Sequence, residues 1–329
     1  MDRALREKIF KIHDRNTFRA AALEVFHFQA EHTPVYRDYL AARKVDPARI
    51  RDAEEIPFLP IEFFKSHTIL EEGRSSEVIF ESSGTTGTAP SSHHVADISL
   101  YRESFLRSFN TFYGSPEELC ILALLPSYLE REASSLVYMM DHLIRWSKQE
   151  DSGFYLDQLE GLSALLQKRN KDGHPTILVG VSFALLDLAE KHPLKLGDHI
   201  ILMETGGMKG RRKEMVRSEL HETLIRAFGL ETIHSEYGMT ELLSQAYSSG
   251  DGLFNSPPWM KILIRDPNDP LSLLPHGQSG GINVIDLANL YSCSFIATAD
   301  LGKLYENGSF EVLGRYDHSD IRGCNLLVS

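Results

Sequence analysis

Ser82-Ser83-Gly84-Thr85-Thr86-Gly87-Thr88, within the run EVIFESSGTTGTAPSSHHVAD, is the stretch on which the fold reading turns. Five of its seven residues carry hydroxyls and the other two are glycines, so backbone N–H and side-chain O–H donors can gather around one anion. Residues 77–81 before it have strand composition, and apolar residues at 98, 101, 105, 109 and 112 beyond it mark a helix. The loop is therefore expected at a strand end. It has no lysine and does not meet the G-x-x-x-x-G-K-[ST] pattern, which excludes the usual P-loop. Most Ser/Thr/Gly clusters of this kind are ordinary polar turns, so the loop alone does not establish a site.

Downstream, residues 120–126 form a short apolar run ended by Pro126, as in a strand buried on both faces, and Cys120 within it reads as an inert core residue. Helical spacing follows at 133, 136, 137, 140, 143 and 144, and again over 156–166. A strand over 175–181, a helix over 182–191, a strand over 199–203 and a helix over 212–228 continue the alternation. Buried strands alternating with amphipathic helices predict α/β layers with mostly parallel sheets. Upstream, apolar positions 18, 21, 22, 25 and 28 mark a helix, and Pro57 and Pro60 set a tight connector into a helical turn ending near Lys65. From Trp259 onward come shorter strands over 259–264, 281–285, 293–298 and 310–313, with Glu306-Asn307-Gly308 as a hairpin turn. The expected division is 1–255, an α/β core with an N-terminal helical segment, and 256–329, a β-rich subdomain.

A formal net charge of −12 argues against nucleic acid as the main partner. The three cysteines, Cys120, Cys293 and Cys324, have no CxxC spacing, which suits a reducing compartment and implies neither a disulfide framework nor a zinc site. The N-terminus lacks the apolar core of a signal peptide and no run reaches the length of a membrane span, so the expected location is the cytoplasm. His93-His94 read as loop or surface residues, because adjacent histidines point differently and no third ligand is spaced nearby.

Two further segments carry chemistry. Thr205-Gly206-Gly207-Met208-Lys209-Gly210 falls between a strand and a helix, where open α/β sheets bind ligands and glycine lets backbone approach a flat or charged group. A plain strand-to-helix turn has the same composition. Ser235-Glu236-Tyr237-Gly238-Met239-Thr240-Glu241 sets an aromatic face, a glycine, a hydroxyl and a carboxylate within five residues. Together they can stack on a base, hydrogen-bond a phosphate and hold a hard cation; a strand end with a core tyrosine is the alternative. Thr298-Ala299-Asp300-Leu301-Gly302 and Gly314-Arg315-Tyr316-Asp317-His318-Ser319-Asp320-Ile321-Arg322-Gly323-Cys324 complete the set.

In this order the motifs resemble those of the adenylate-forming superfamily: SSGTTGT its phosphate loop, YGMTE its aromatic-Gly-x-Thr-Glu motif, TADLG its Thr-Gly-Asp motif, and GRYDHSDIRG the arginine segment closing its large domain. PIEFFKSH, SSGTTGT, ETGGMKGRR and GRYDHSDIRGC are more closely similar to the LuxE family of acyl-protein synthetases. The resemblance implies the adenylate-forming large-domain fold, mostly parallel sheets flanked by helices with a β-rich C-terminal subdomain and no small C-terminal lysine domain. It further implies a ligase that uses ATP and Mg²⁺ to adenylate a carboxylic acid, expected to be fatty, and transfers the acyl group to a protein thiol. Ser83, Gly84, Thr85, Thr86, Gly87 and Thr88 would surround the ATP phosphates, and Gly206, Gly207, Tyr237 and Gly238 would line the nucleotide. Thr240 would contact the α-phosphate, Glu241 would hold Mg²⁺, Asp300 would bind ribose hydroxyls and Arg315 ribose or phosphate. Cys324 would accept the acyl group, with an acyl-carrier or acyl-reductase protein as partner. Ala89-Pro90 stand where many superfamily members place a lysine in the phosphate loop, and Lys65, Lys209 or a partner's residue would have to serve in place of the catalytic lysine of the small C-terminal domain. Acyl-CoA or carrier-protein ligation, and nucleotide binding without catalysis, are the alternatives.

Overall fold

The computed structural model describes residues 2–82, 90–126, 133–156, 158–207 and 215–315. In chain order the elements are α1 (Asp2–Ile9), α2 (Arg15–His32), α3 (Pro34–Ala42), β1 (Leu59–Pro60), α4 (Phe63–Ser66), β2 (Val78–Glu81), β3 (Ser92–Val95), α5 (Ile98–Tyr113), β4 (Cys120–Leu124), α6 (Ser135–Ser147) and β5 (Gly153–Phe154). They continue with α7 (Leu159–Asp172), β6 (Thr176–Gly180), α8 (Ser182–Lys191), β7 (Ile200–Glu204), α9 (Arg217–Phe228), β8 (His234–Tyr237), β9 (Ala246–Ser248), β10 (Met260–Arg265), β11 (Ser279–Asp286), β12 (Phe295–Leu304) and β13 (Phe310–Arg315). The chain forms two compact units, one from Met1–Ser104, Thr240–Ser244 and Asn255–Ser329, the other from Phe105–Met239 and Gln245–Phe254.

The second unit contains a six-stranded sheet in the order β5-β4-β6-β7-β8-β9. All its pairings are parallel except β8 with β9. Every residue of β4 and β6 is buried, which explains their uninterrupted apolar composition. Leu122, Leu178 and Leu202 from three adjacent strands are fully buried, as are Leu224 and Phe228 of α9. The alternation in the sequence is realised here as a mainly parallel α/β sheet. Cys120 is buried, and burial pushes its thiol up.

In the first unit, β10-β11-β12 are antiparallel, β13 adds to β12, and the two residues of β1 pair with β12 in parallel, Leu59 opposite Ile296. The N-terminal helices belong to this unit because α2 is bonded to its C-terminal part. Fully buried Gln29 donates through Nε2 to the carbonyls of Asn289 and Leu290, both at 2.9 Å, and its Oε1 accepts the Ser294 N–H at 2.9 Å. Phe26 meets Phe295 edge-on at 6.0 Å.

At Gly302, β12 runs so close to its neighbours β13 and β11 that an added Cβ would lie 2.5 Å from the Glu311 carbonyl oxygen and 2.6 Å from Ile282 Cδ1. Gly302→Ala is therefore expected to lose about 1–3 kcal/mol of stability, the usual range for overpacking, read as a lower denaturant midpoint.

Candidate active site

The hydroxyl-rich stretch lies in sequence between β2 and β3. β2 and β3 are antiparallel, with Glu81 opposite Ser92. At the hairpin's open end the Ser82 N–H donates to the Ser91 carbonyl at 3.0 Å, and the Ser91 N–H to Ser82 Oγ at 2.8 Å. Ser83 to Thr88 lie outside the described residues. The Ser91 hydroxyl lies near enough to the Glu241 carboxyl to favour its charged form, which places the base of the loop beside the Thr240-Glu241 motif within the first unit.

Glu241 is 5% exposed and makes no salt bridge among the described residues. Burial pushes its carboxyl up; the Ser91 hydroxyl, its own N–H and the Arg315 charge act in the opposite direction, and Asp300 adds to the rise. Arg315 Nε is 3.3 Å from Asp300 Oδ1, and the Arg315 side chain is 79% exposed. Residues from three motifs far apart in sequence, Glu241, Asp300 and Arg315, are thus close enough to act on one another. A buried carboxylate gains from a cation that offsets the cost of its charge, and Mg²⁺ is commonly held by one or two carboxylates together with phosphates. Glu241 fits such a ligand. Among the described residues no three acidic, histidine or cysteine side chains cluster as a metal site without substrate.

His93 departs from the sequence reading. It is fully buried on β3, and its Nδ1 donates to the Thr240 carbonyl at 2.8 Å. Its neighbour His94 is half-buried with Nδ1 2.9 Å from Ser76 Oγ. Adjacent strand residues do face opposite ways, but Val95 faces inward, so the period of two turns His93 inward as well. That alternation was the available signal. Asn289 and Asp286 were also missed: Asn289 Nδ2 donates to the Glu241 carbonyl at 2.7 Å, and Asp286 accepts the Leu243 N–H at 2.7 Å and the Ser244 hydroxyl at 2.5 Å. Burial pushes the Asp286 carboxyl up to about 6 against those hydrogen bonds.

In the second unit, Gly206 and Gly207 take φ of 72° and 87°, consecutive left-handed positions that favour glycine. The turn is fixed by fully enclosed Glu204 at the end of β7. Its Oε2 accepts the Gly206 N–H at 2.6 Å, while Arg217 Nε is 3.1 Å and His221 Nε2 3.6 Å from Oε1. Burial opposes this charge, but His221, Arg217, Ser235 and the Gly206 N–H outweigh it and hold the carboxyl at about 2. Tyr237, 7% exposed, ends β8 with its ring edge-on to Phe254 at 5.9 Å. Gly238 follows it closely enough that a Cβ would lie 2.5 Å from Glu236 Oε1. Lys65 is exposed on α4. Lys209 and Cys324 lie outside the described residues.

Glu236 keeps some solvent contact yet is hemmed in by protein, and burial together with the Glu204 charge pushes its carboxyl up to about 8. The folded state then holds this proton more tightly than the unfolded chain, whose ordinary value is 4.5, so stability falls as pH rises between the two. Glu236→Gln is expected to melt with wild type near pH 5 and several degrees above it at pH 9, as paired thermal melts would show.

A model of the family described as acyl-protein synthetase, LuxE, matches residues 10–329. The long-chain-fatty-acid–luciferin-component ligase of Vibrio harveyi is 24% identical over 306 residues, covering 85% of this chain and 79% of that protein. Among solved structures, 2-hydroxyisobutyryl-CoA ligase in an open conformation with 2-HIB-AMP and CoA superposes with a TM-score of 0.62 at 13% identity, covering 93% of this chain and 72% of that one. ATP-bound MatB from Rhodopseudomonas palustris gives 0.54 at 19% identity over 72% of this chain. The chain spans about half the length of that protein, 47% of it. The fold is thus that of solved acyl-CoA ligases, and by its family match over residues 10–329 this chain belongs to the LuxE acyl-protein synthetases.

Proposed function

We propose that the chain uses ATP to convert a fatty acid to its acyl-adenylate and then passes the acyl group to a protein thiol, its own Cys324. The observation that carries this reading is the convergence in one unit of Ser91 at the base of the hydroxyl-rich loop with Glu241, Asp300 and Arg315. The name of the Vibrio harveyi relative, a long-chain-fatty-acid ligase, supports a fatty-acid substrate. No helix among the described residues is long and apolar enough to cross a membrane.

In the first half-reaction the acid's carboxylate oxygen bonds to the α-phosphorus and the bond to the β-phosphate oxygen breaks, releasing pyrophosphate. Two anions must approach, so the chain's contribution is alignment and charge neutralisation. Thr240 donates its hydroxyl to an α-phosphate oxygen, and Asp300 accepts from the ribose hydroxyls. Arg315, exposed enough to reach beyond Asp300, supplies positive charge at ribose or phosphate. Glu241 would hold Mg²⁺, which when bound would neutralise phosphate charge. In the second half-reaction the thiolate of Cys324 attacks the acyl carbon and AMP leaves.

Purified protein given ATP, Mg²⁺ and a series of fatty acids of increasing length is expected to release pyrophosphate with at least one of them. No release with any, beside an active control ligase, would reject the reading. Labelled fatty acid should appear by mass spectrometry as a thioester on Cys324, lost in Cys324→Ser; unchanged labelling of that variant would reassign the acceptor to another thiol.

A further inference from the structure

Two neighbouring carbonyls, those of Thr240 and Glu241, are each held by a separate buried side chain. A carbonyl only accepts, so the 2.8 Å contact at Thr240 requires the proton on His93 Nδ1, and the 2.7 Å contact at Glu241 fixes which end of the Asn289 amide is nitrogen. His93 is 0% and Asn289 1% exposed. Their remaining polar atoms, His93 Nε2 and Asn289 Oδ1, lie near each other without a hydrogen-bond partner. Burial pushes the His93 ring down to about 4, so at neutral pH Nε2 is a lone pair and both atoms are acceptors. They cannot bond each other directly. A cavity of about 10 Å³ lined by His93, Leu243, Asn289 and Ser292 adjoins them, room for about one water, which can donate to both.

Resting on the adenylation reading, we propose that His93 and Asn289 are positioning residues: a buried carbonyl clamp that fixes the Thr240–Glu241 backbone so that its hydroxyl and carboxyl meet the α-phosphate and Mg²⁺ in one orientation. Desolvating an imidazole and an amide is costly, and side chains that only filled space would be apolar. Here both donors are spent on consecutive carbonyls, while Asp286 holds the N–H of Leu243 and the hydroxyl of Ser244 just beyond. Turning the peptide between Thr240 and Glu241 therefore breaks a buried hydrogen bond. A reacting group displaced by about 1 Å can lose on the order of 10²-fold in rate, so the clamp acts through the motif without touching substrate.

The test compares His93→Phe, which keeps a ring against Phe64, now 5.6 Å from His93 edge-on, with His93→Asn, whose amide N–H replaces that of Nδ1. Pyrophosphate release, melting temperature, and calorimetric affinity for ATP with Mg²⁺ and with EDTA are measured for each. For His93→Phe, kcat is expected to fall about tenfold or more and the affinity for ATP with Mg²⁺ about fivefold, with ATP in EDTA little changed. His93→Asn should recover to within about threefold of wild type. Equal losses in both variants that track melting temperature, or a His93→Phe protein matching wild type, would overturn the clamp. Should His93→Phe not fold, Asn289→Leu, similar in volume and without the donor, must show the same Mg²⁺-selective loss, and its absence is equally decisive. Wild type that neither binds nor uses ATP overturns the adenylation reading itself; wild type that does both, beside an unaffected variant, overturns the clamp alone.

Discussion

Glu241→Gln is expected to slow pyrophosphate release by about 10²–10³-fold, the range for removing one electrostatic contact to a charged transition state, while leaving the protein as stable as wild type or more so. Glutamine preserves shape and an acceptor for the Ser91 hydroxyl but removes the charge. In the substrate-free protein that charge is a burden: burial pushes the Glu241 carboxyl above its ordinary 4.5, so the folded state binds the proton more tightly than the unfolded chain. For a raised acid, stability is lost as pH rises from the unfolded value through the folded one, and glutamine escapes that loss. Melts at pH 5 and pH 8 should show the variant gaining on wild type at the higher pH while its turnover collapses. A variant within tenfold of wild-type turnover would exclude Glu241 from the reaction.

Glu204 gives the opposite stability result. Glu204→Ala is expected to lose about 3–5 kcal/mol, because Arg217 is deprived of the buried counter-charge 3.1 Å from its Nε and the Gly206 N–H of its acceptor. A drop of roughly 10 °C in melting temperature is the corresponding readout. Glu204→Gln, which keeps the acceptor, should lose less. The pH dependence separates charge from shape. The Glu204 carboxyl sits at about 2 against an ordinary 4.5, so its contribution is complete above the unfolded value and is lost as pH falls through the folded one. The deficit of Glu204→Gln should be constant from neutral pH down to about 5 and shrink between there and pH 2. A deficit unchanged across that window would mean that the charge of Glu204 does not stabilise the turn.

The runs that became β4, β6 and most of β7 were legible because strands covered on both faces are apolar over most of their length, and α8 was legible from its helical spacing at the bounds observed, Ser182–Lys191. The sequence motifs also led to the family, since Gly206-Gly207, Tyr237 through Glu241, Asp300 and Arg315 occur in one order with compatible chemistry. β3 was harder to read. Its SHHV is polar in composition, and the buried place of His93 depends on a carbonyl 147 residues away that accepts its proton.

Local sequence by itself determined the alternation of strands and helices and the chemical types available for a nucleotide, because periodicity and side-chain chemistry are local properties. Only the tertiary structure decided that the base of the hydroxyl-rich loop meets Glu241, that Asp300 and Arg315 pair beside it, and that Gln29 bonds the N-terminal helix to residues more than 250 positions away. Those outcomes depend on buried polar groups finding partners. A polar group's sequence shows what it can donate or accept, but only the packed chain determines which distant group is left in reach once water is excluded.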